Sequence, residues 1–217
     1  MKLKAILFDL DGTLLDSALS IGDVLNQMRL ERGLDYLGIQ KYREWVSLGA
    51  DALVANSLEV PVPDVEPFLR NFRIRYASKK TSTTDLFPQV EETLSKLKDF
   101  GLATGICSNK PLYLCKKILS DLDLEDYFSC VVGGDSVIAA KPSREPVDLA
   151  LSMLGQSHKD SLFIGDSTVD QGASKNSGLP FVFFAGGYND GVDLTQVAGT
   201  INSMSELILL IKREGWI

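Results

Sequence analysis

Asp9 and Asp11 stand two residues apart at the end of a short apolar run over residues 5–8. If that run is a buried parallel strand, both carboxylates leave its carboxyl end, where open α/β sheets gather their ligands. Like charges held so close need a cation between them or a retained proton. A hard divalent ion with oxygen ligands, most simply Mg²⁺, answers that need. A turn of Asx residues leaving a strand is the plainer reading of the same residues. A helix-loop-helix calcium loop is excluded, because it wants Gly sixth and Glu twelfth, whereas Gly12 is fourth and Ser20 twelfth counted from Asp9.

Other segments supply what a reaction at such a pair would need. An apolar run over residues 103–107 stops at Ser108 and Asn109, another over residues 162–164 stops at Gly165-Asp166-Ser167-Thr168-Val169-Asp170, and Lys141-Pro142 leads into a helical stretch. Each alone is ordinary: a lysine before proline is usually solvated, and Ser-Asn or Gly-Asp-Ser after a strand is usually a turn or cap. Parallel strands deliver their carboxyl ends to one edge, so these residues can converge there, and their joint order favours a site. Chemistry then assigns expected roles. Asp9 attacks phosphorus and forms an aspartyl-phosphate; Asp11 protonates the departing alkoxide and then, as a base, activates water. Asp9, the main-chain carbonyl of Asp11, and Asp166 hold Mg²⁺. Lys141 and the Ser108 hydroxyl bind the nonbridging oxygens, with backbone N–H groups near Gly12 and Asn109 as further donors. Asp170 orients Lys141 or a metal-bound water.

For these residues to meet, the chain between them must alternate strands and helices. Asp16 or Ser17 is expected to cap a helix whose stripe is Ile21, Val24, Leu25 and Met28, with Gly33 as its stop. Helical text continues over residues 39–48, 50–58 and 65–77, broken by Pro61 and Pro63, with no strand-like alternation between residues 16 and 82. A small all-helical insertion follows the first strand. After the polar link at residues 81–85 the pattern becomes helix 90–100, strand 103–107, a helix through Leu114, Ile118 and Leu119, strand 130–132, helix 145–154, strand 162–164, strand 181–184, and a last helix opened by a Ser203-x-x-Glu206 capping box. Strands and helices at this spacing predict an α/β fold with a parallel sheet covered on both faces.

The chain of 217 residues, 45% hydrophobic and 24% charged, suits one large domain or a core with a smaller insertion. Its net charge of −7 argues against nonspecific nucleic-acid or anionic-membrane binding. An anionic small molecule remains open, because a metal and placed lysines can reverse a local field. Cys107, Cys115 and Cys130 show no CxxC spacing and read as reduced, mostly buried thiols of a cytoplasmic protein. The basic start at Lys2 and Lys4 is no secretory leader, since the apolar run ends at Asp9, and no stretch approaches the roughly 20 apolar residues of a membrane span. His158 reads as an exposed loop residue, and Trp45 and Trp216 as packing.

Taken together, the segments DLDGTLLDS (9–17), CSNKP (107–111), Lys141-Pro142 and GDSTVD (165–170) resemble the four motifs of the haloacid dehalogenase superfamily of phosphatases, in their usual order. The helical insertion resembles that superfamily's small cap. WVSLGADALV (45–54) and GYNDG (187–191) are similar to the corresponding stretches of phosphoglycolate phosphatases, the nearest branch. The resemblance implies a Rossmann-like core, Mg²⁺ dependence and a phosphoenzyme mechanism. Asp11 marks phosphoryl transfer rather than dehalogenation. The chain departs from the branch at Ser108, where Thr is usual, at Gln89, where Gly is usual after the proline, at Ser47 for Gly, and in residues 141–146, which differ from Lys-Pro-x-Pro-Asp-Pro. The expectation is a Rossmann-like core at 1–15 and 83–217 with an all-helical cap at 16–82. Its activity is that of a phosphomonoester hydrolase on a small phosphorylated metabolite, with 2-phosphoglycolate the first candidate, working as a monomer or homodimer. A sugar-phosphate mutase of the same fold and a non-catalytic binding protein are the competing readings.

Overall fold

The computed structural model describes residues 2–217, so Met1, the first residue of the expected core segment, lies outside the described residues. Six short strands run parallel in the order β3-β2-β1-β4-β5-β6: β1 (Ala5–Phe8), β2 (Ala103–Cys107), β3 (Cys130–Val132), β4 (Ser161–Gly165), β5 (Phe181–Phe184) and β6 (Gly199–Ile201). This is the doubly wound Rossmann order, and the winding reverses between β1 and β4. β1 is central. Its register sets Phe8 beside Ile106 of β2 and Ile164 of β4, so the residues that follow these three strands leave one rim together.

Side chains alternating along β1 feed two hydrophobic layers. Ile6 and Phe8 face a layer shared with α5 (Val90–Asp99), α6 (Leu112–Asp121) and α9 (Met204–Arg213), whereas Leu7 faces α7 (Glu145–Leu154) and α8 (Thr168–Ser177). A sheet buried on both faces explains why its strands read as continuous apolar runs. All three cysteines are buried and unpaired, and Trp45 and Trp216 pack against the core.

Between β1 and α5 lie four helices, α1 (Ala18–Glu31), α2 (Ile39–Val46), α3 (Ala50–Leu58) and α4 (Glu66–Ser78). α1 touches each of the other three and buries Ile21, Val24, Leu25 and Met28 against them. The hydroxyl of buried Tyr42 donates to Asn26 Oδ1 at 2.7 Å, and the same amide brackets the backbone of Leu37. Arg29, also buried, donates to the carbonyl of Asp35 at 2.6 Å, to the carbonyl of Ser57 and to Glu59. A buried guanidinium satisfied by main-chain acceptors ties the loop after α1 to the end of α3.

Two local expectations are corrected. Neither Asp16 nor Ser17 caps α1 through its side chain; the Ala18 N–H donates instead to the Tyr188 hydroxyl at 2.9 Å. Ser203 makes no cap bond, and Glu206 accepts from the backbone of Asn202 at 2.8 Å. β6 and α8 extend the expected pattern. Among the described residues no helix is long and apolar enough to cross a membrane.

Candidate active site

Asp9 follows β1 directly, its N–H donating to the Ile164 carbonyl of β4 at 2.9 Å, which fixes its side chain at the point where the winding reverses. The chain then tightens into a turn, with Gly12 N–H donating to the Leu15 carbonyl at 2.7 Å. Gly12 sits at φ +86°, and a Cβ there would run into the Asp166 carboxylate and lie 2.7 Å from the Tyr188 ring, so only glycine fits. Thr13, fully buried, donates from Oγ1 to Asp166 Oδ1 at 2.9 Å.

Asp166 comes off β4, and its other oxygen accepts the Tyr188 N–H at 2.8 Å. Ser167 caps α8 in a reciprocal capping box with Asp170, which leaves Asp170 Oδ1 facing inward. There it accepts Lys141 Nζ at 2.6 Å, while Asp9 Oδ1 accepts the same ammonium at 2.8 Å. Asn109 sets the lysine: its side chain donates to the Lys141 carbonyl and accepts from the Lys141 N–H, both at 2.9 Å. Ser108 is buried at the end of β2 with its hydroxyl on the same cavity.

Asp9, Asp166 and Asp170 present carboxylate oxygens within 4.8 Å of one another. Three buried carboxylates face one ammonium, leaving two negative charges unbalanced if all are ionised. Burial, reinforced by Asp170, therefore pushes Asp9 up to about 7, and burial with the same neighbour raises Asp166 well above the usual carboxylate range. Burial alone would depress the Lys141 ammonium, but Asp170 and Asp9 outweigh it and hold Lys141 above its ordinary value. The oxygen-only donor set and the charge deficit both suit a hard divalent cation. Asp11 lies apart from this cluster, its Oδ1 2.5 Å from Lys110 Nζ. Burial opposes that lysine's charge, yet Asp11 holds it above its usual value.

A cavity of about 380 Å³ opens over the rim. Its floor includes Asp9, Asp11, Ser108, Lys141 and Asp166, and its opposite wall is built from α1, the end of α2 and the turn after it, α3 and α4. Gly12, Ser108, Asn109, Lys141, Asp166 and Asp170 are thus brought to one place with Asp9, while the Asp11 carboxylate faces the same cavity from beside Lys110. Sequence reasoning gave no role to Thr13, Lys110 or Tyr188, although each lies inside a segment singled out there. His158 contacts Asp148 at 2.7 Å, away from the cavity.

Comparison with known proteins gives concordant results. Residues 6–184 match the haloacid dehalogenase-like hydrolase family. A phosphoglycolate phosphatase from Photorhabdus laumondii is 36% identical over 216 residues, covering 96% of this chain and 92% of its own. Another from Rhodobacter capsulatus is 36% identical over 218 residues, covering 98% and 97%. Among solved structures, one described as a predicted phosphoglycolate phosphatase from Haemophilus somnus superposes with a TM-score of 0.83 at 26% identity, covering 97% of this chain and 98% of that one. CbbY from Rhodobacter sphaeroides in complex with phosphate shares the fold at 22% identity and a TM-score of 0.76, covering 94% and 96%.

Proposed function

This chain belongs to the haloacid dehalogenase-like hydrolase family and is a phosphatase, and from that premise we propose that it is a Mg²⁺-dependent phosphomonoester hydrolase working through an aspartyl-phosphate on Asp9. The observation that carries the reading is the buried cluster of Asp9, Asp166 and Asp170 with a single lysine bonded to Asp9 and Asp170, whose charge deficit equals one divalent cation. Asp9, Asp166 and the Asp11 carbonyl would hold the metal, with Asp170 close by. When bound, Mg²⁺ supplies charge neutralisation between carboxylate and phosphate and draws electron density from phosphorus.

The chain's own groups do the rest. Asp9 attacks phosphorus, and the P–O bond to the leaving alkoxide breaks as Asp11 gives it a proton. Asp11, now a base, takes a proton from the water that hydrolyses the acyl phosphate. Lys141, anchored by Asn109 and Asp170, neutralises the nonbridging oxygens together with Ser108 and the turn amides near Gly12. Residues 16–82 act as a cap on a core of 1–15 and 83–217, excluding water from the cavity.

The substrate we favour is 2-phosphoglycolate, in keeping with the names of relatives 36% identical over nearly the whole chain. Buried, unpaired thiols accord with the reducing cytoplasm. Incubation of the purified protein with Mg²⁺ and 2-phosphoglycolate should release inorganic phosphate, with release abolished in Asp9→Asn and by EDTA. Phosphate release that survives Asp9→Asn would sink the mechanism.

A further inference from the structure

The cavity wall facing the acidic floor is mostly apolar, with Ile21, Val46, Leu53 and Phe72 among its residues. Among the described residues, Arg73 is the sole charged side chain that the helices α1 to α4 contribute to that wall. It is half-buried. Its helix neighbour Arg75 is clamped by Glu31 at 2.6 and 2.7 Å, whereas Arg73 meets no carboxylate at ion-pair distance among the described residues. One turn along α4, Tyr76 covers a second cation, Lys110, at 4.9 Å from its ring centre. Lys110, however, belongs to the segment after β2 on the floor side, where Asp11 holds it at 2.5 Å, and not to the wall.

We propose that Arg73 reads a single carboxylate on the leaving group, so that the site selects phosphate esters of short hydroxy acids over esters of neutral alcohols and over bisphosphates. This inference rests on the phosphatase reading above. With the phosphoryl group held at Asp9, Ser108 and Lys141, the leaving group must extend toward the wall. One uncompensated guanidinium there matches one carboxylate, and its planar fork can meet both oxygens. A second phosphate would bring more negative charge than the wall balances. A polyol would leave hydroxyls against Ile21, Val46, Leu53 and Phe72 without partners, an unfavourable exchange for their bonds to water.

The test compares kcat/KM of the Mg²⁺-loaded enzyme for 2-phosphoglycolate, for 2-hydroxyethyl phosphate, and for ethylene glycol bisphosphate. The wild type should prefer the carboxylate ester. Arg73→Gln should cut that preference by about tenfold or more, carried mainly by KM, as expected for the loss of a charge-assisted contact. Arg73→Lys should restore part of it, and Arg75→Gln, on the solvent side of the same helix, should keep it whole. An unchanged preference in a folded Arg73→Gln, or a wild type that favours the neutral ester or the bisphosphate, would overturn the assignment of Arg73. Phosphate release that Asp9→Asn abolishes would still stand as support for the underlying reading. A wild type inert toward all three esters would bring down both.

Discussion

Lys141 sits within 3 Å of two carboxylates in the absence of bulk water, so its removal has two separable effects. Lys141→Met should lower kcat by about a hundredfold or more, through loss of charge stabilisation on the phosphoryl group. In EDTA it should also cost about 3 kcal/mol of folding stability, because Asp9 and Asp170 are left buried and uncompensated. Steady-state kinetics and urea unfolding read the two effects, and an active variant of normal stability would refute the role. Gly12→Ala combines a positive φ with a collision against Asp166 and Tyr188, and should destabilise by on the order of 2–4 kcal/mol. Much at this scale was legible in the sequence. The acidic pair, Ser108, Lys141, Asp166 and Asp170 stand out by type and by their place at strand ends. Lys110 and Tyr188 did not, since their partners lie 99 and 22 residues away and no local pattern encodes such pairings. Thr13 offered a faint signal, a hydroxyl just after the acidic pair with a glycine between.

Elements were legible where burial imposes a period on the sequence. The strands around the site and the stripe of α1 follow from apolar spacing alone. Helix α8 did not, because its sequence TVDQGASKNS carries almost no apolar stripe and is held by its cap and by Gly165 and Pro142 beneath it. β6 is three residues at the sheet edge, too short for any alternation to register. The Ser203-x-x-Glu206 pattern misled because Glu206 reaches Asn202 instead. One departure from the resembling branch has a structural price: Gln89, at φ 66°, occupies the left-handed region at the start of α5 where glycine is usual. Gln89→Gly should therefore raise stability by up to about 1 kcal/mol, the relief of backbone strain exceeding the added chain entropy. A lower urea midpoint would show that the strain is offset elsewhere. Among helices α1 to α4, Arg29 is the equivalent weak point. Arg29→Met keeps the bulk but strands the carbonyls of Asp35 and Ser57, and should cost about 2–4 kcal/mol in urea unfolding.

For the molecule as a whole, the acidic cluster links pH, metal and stability. Asp9 has a value raised to about 7 in the fold against 3.8 for an ordinary aspartate, and Asp166 is raised too. Below about pH 4 the carboxyl is protonated whether folded or not; as pH rises through 7 the folded protein must ionise a group the unfolded chain ionised long before. Stability in EDTA should therefore fall between pH 5 and pH 8. On the proposed Mg²⁺ dependence, saturating Mg²⁺ should reverse the trend, since it would bind the ionised cluster of the fold and not the unfolded chain. Equal urea midpoints at the two pH values in EDTA would contradict this.

The position of β1 carries one more consequence. The middle strand of the sheet is the first to leave the ribosome, yet its flanking partners begin only at residues 103 and 161. During translation the nascent apolar segment at residues 5–8 has nothing to dock on, while the helices of residues 18–78 can already fold beside it. Closure of the sheet, and with it the birth of the catalytic rim, is a late event of high contact order. A chain halted before residue 161 would hold β1 to β3 but lack β4 to β6, and with them Asp166 and Asp170, two of the three clustered carboxylates.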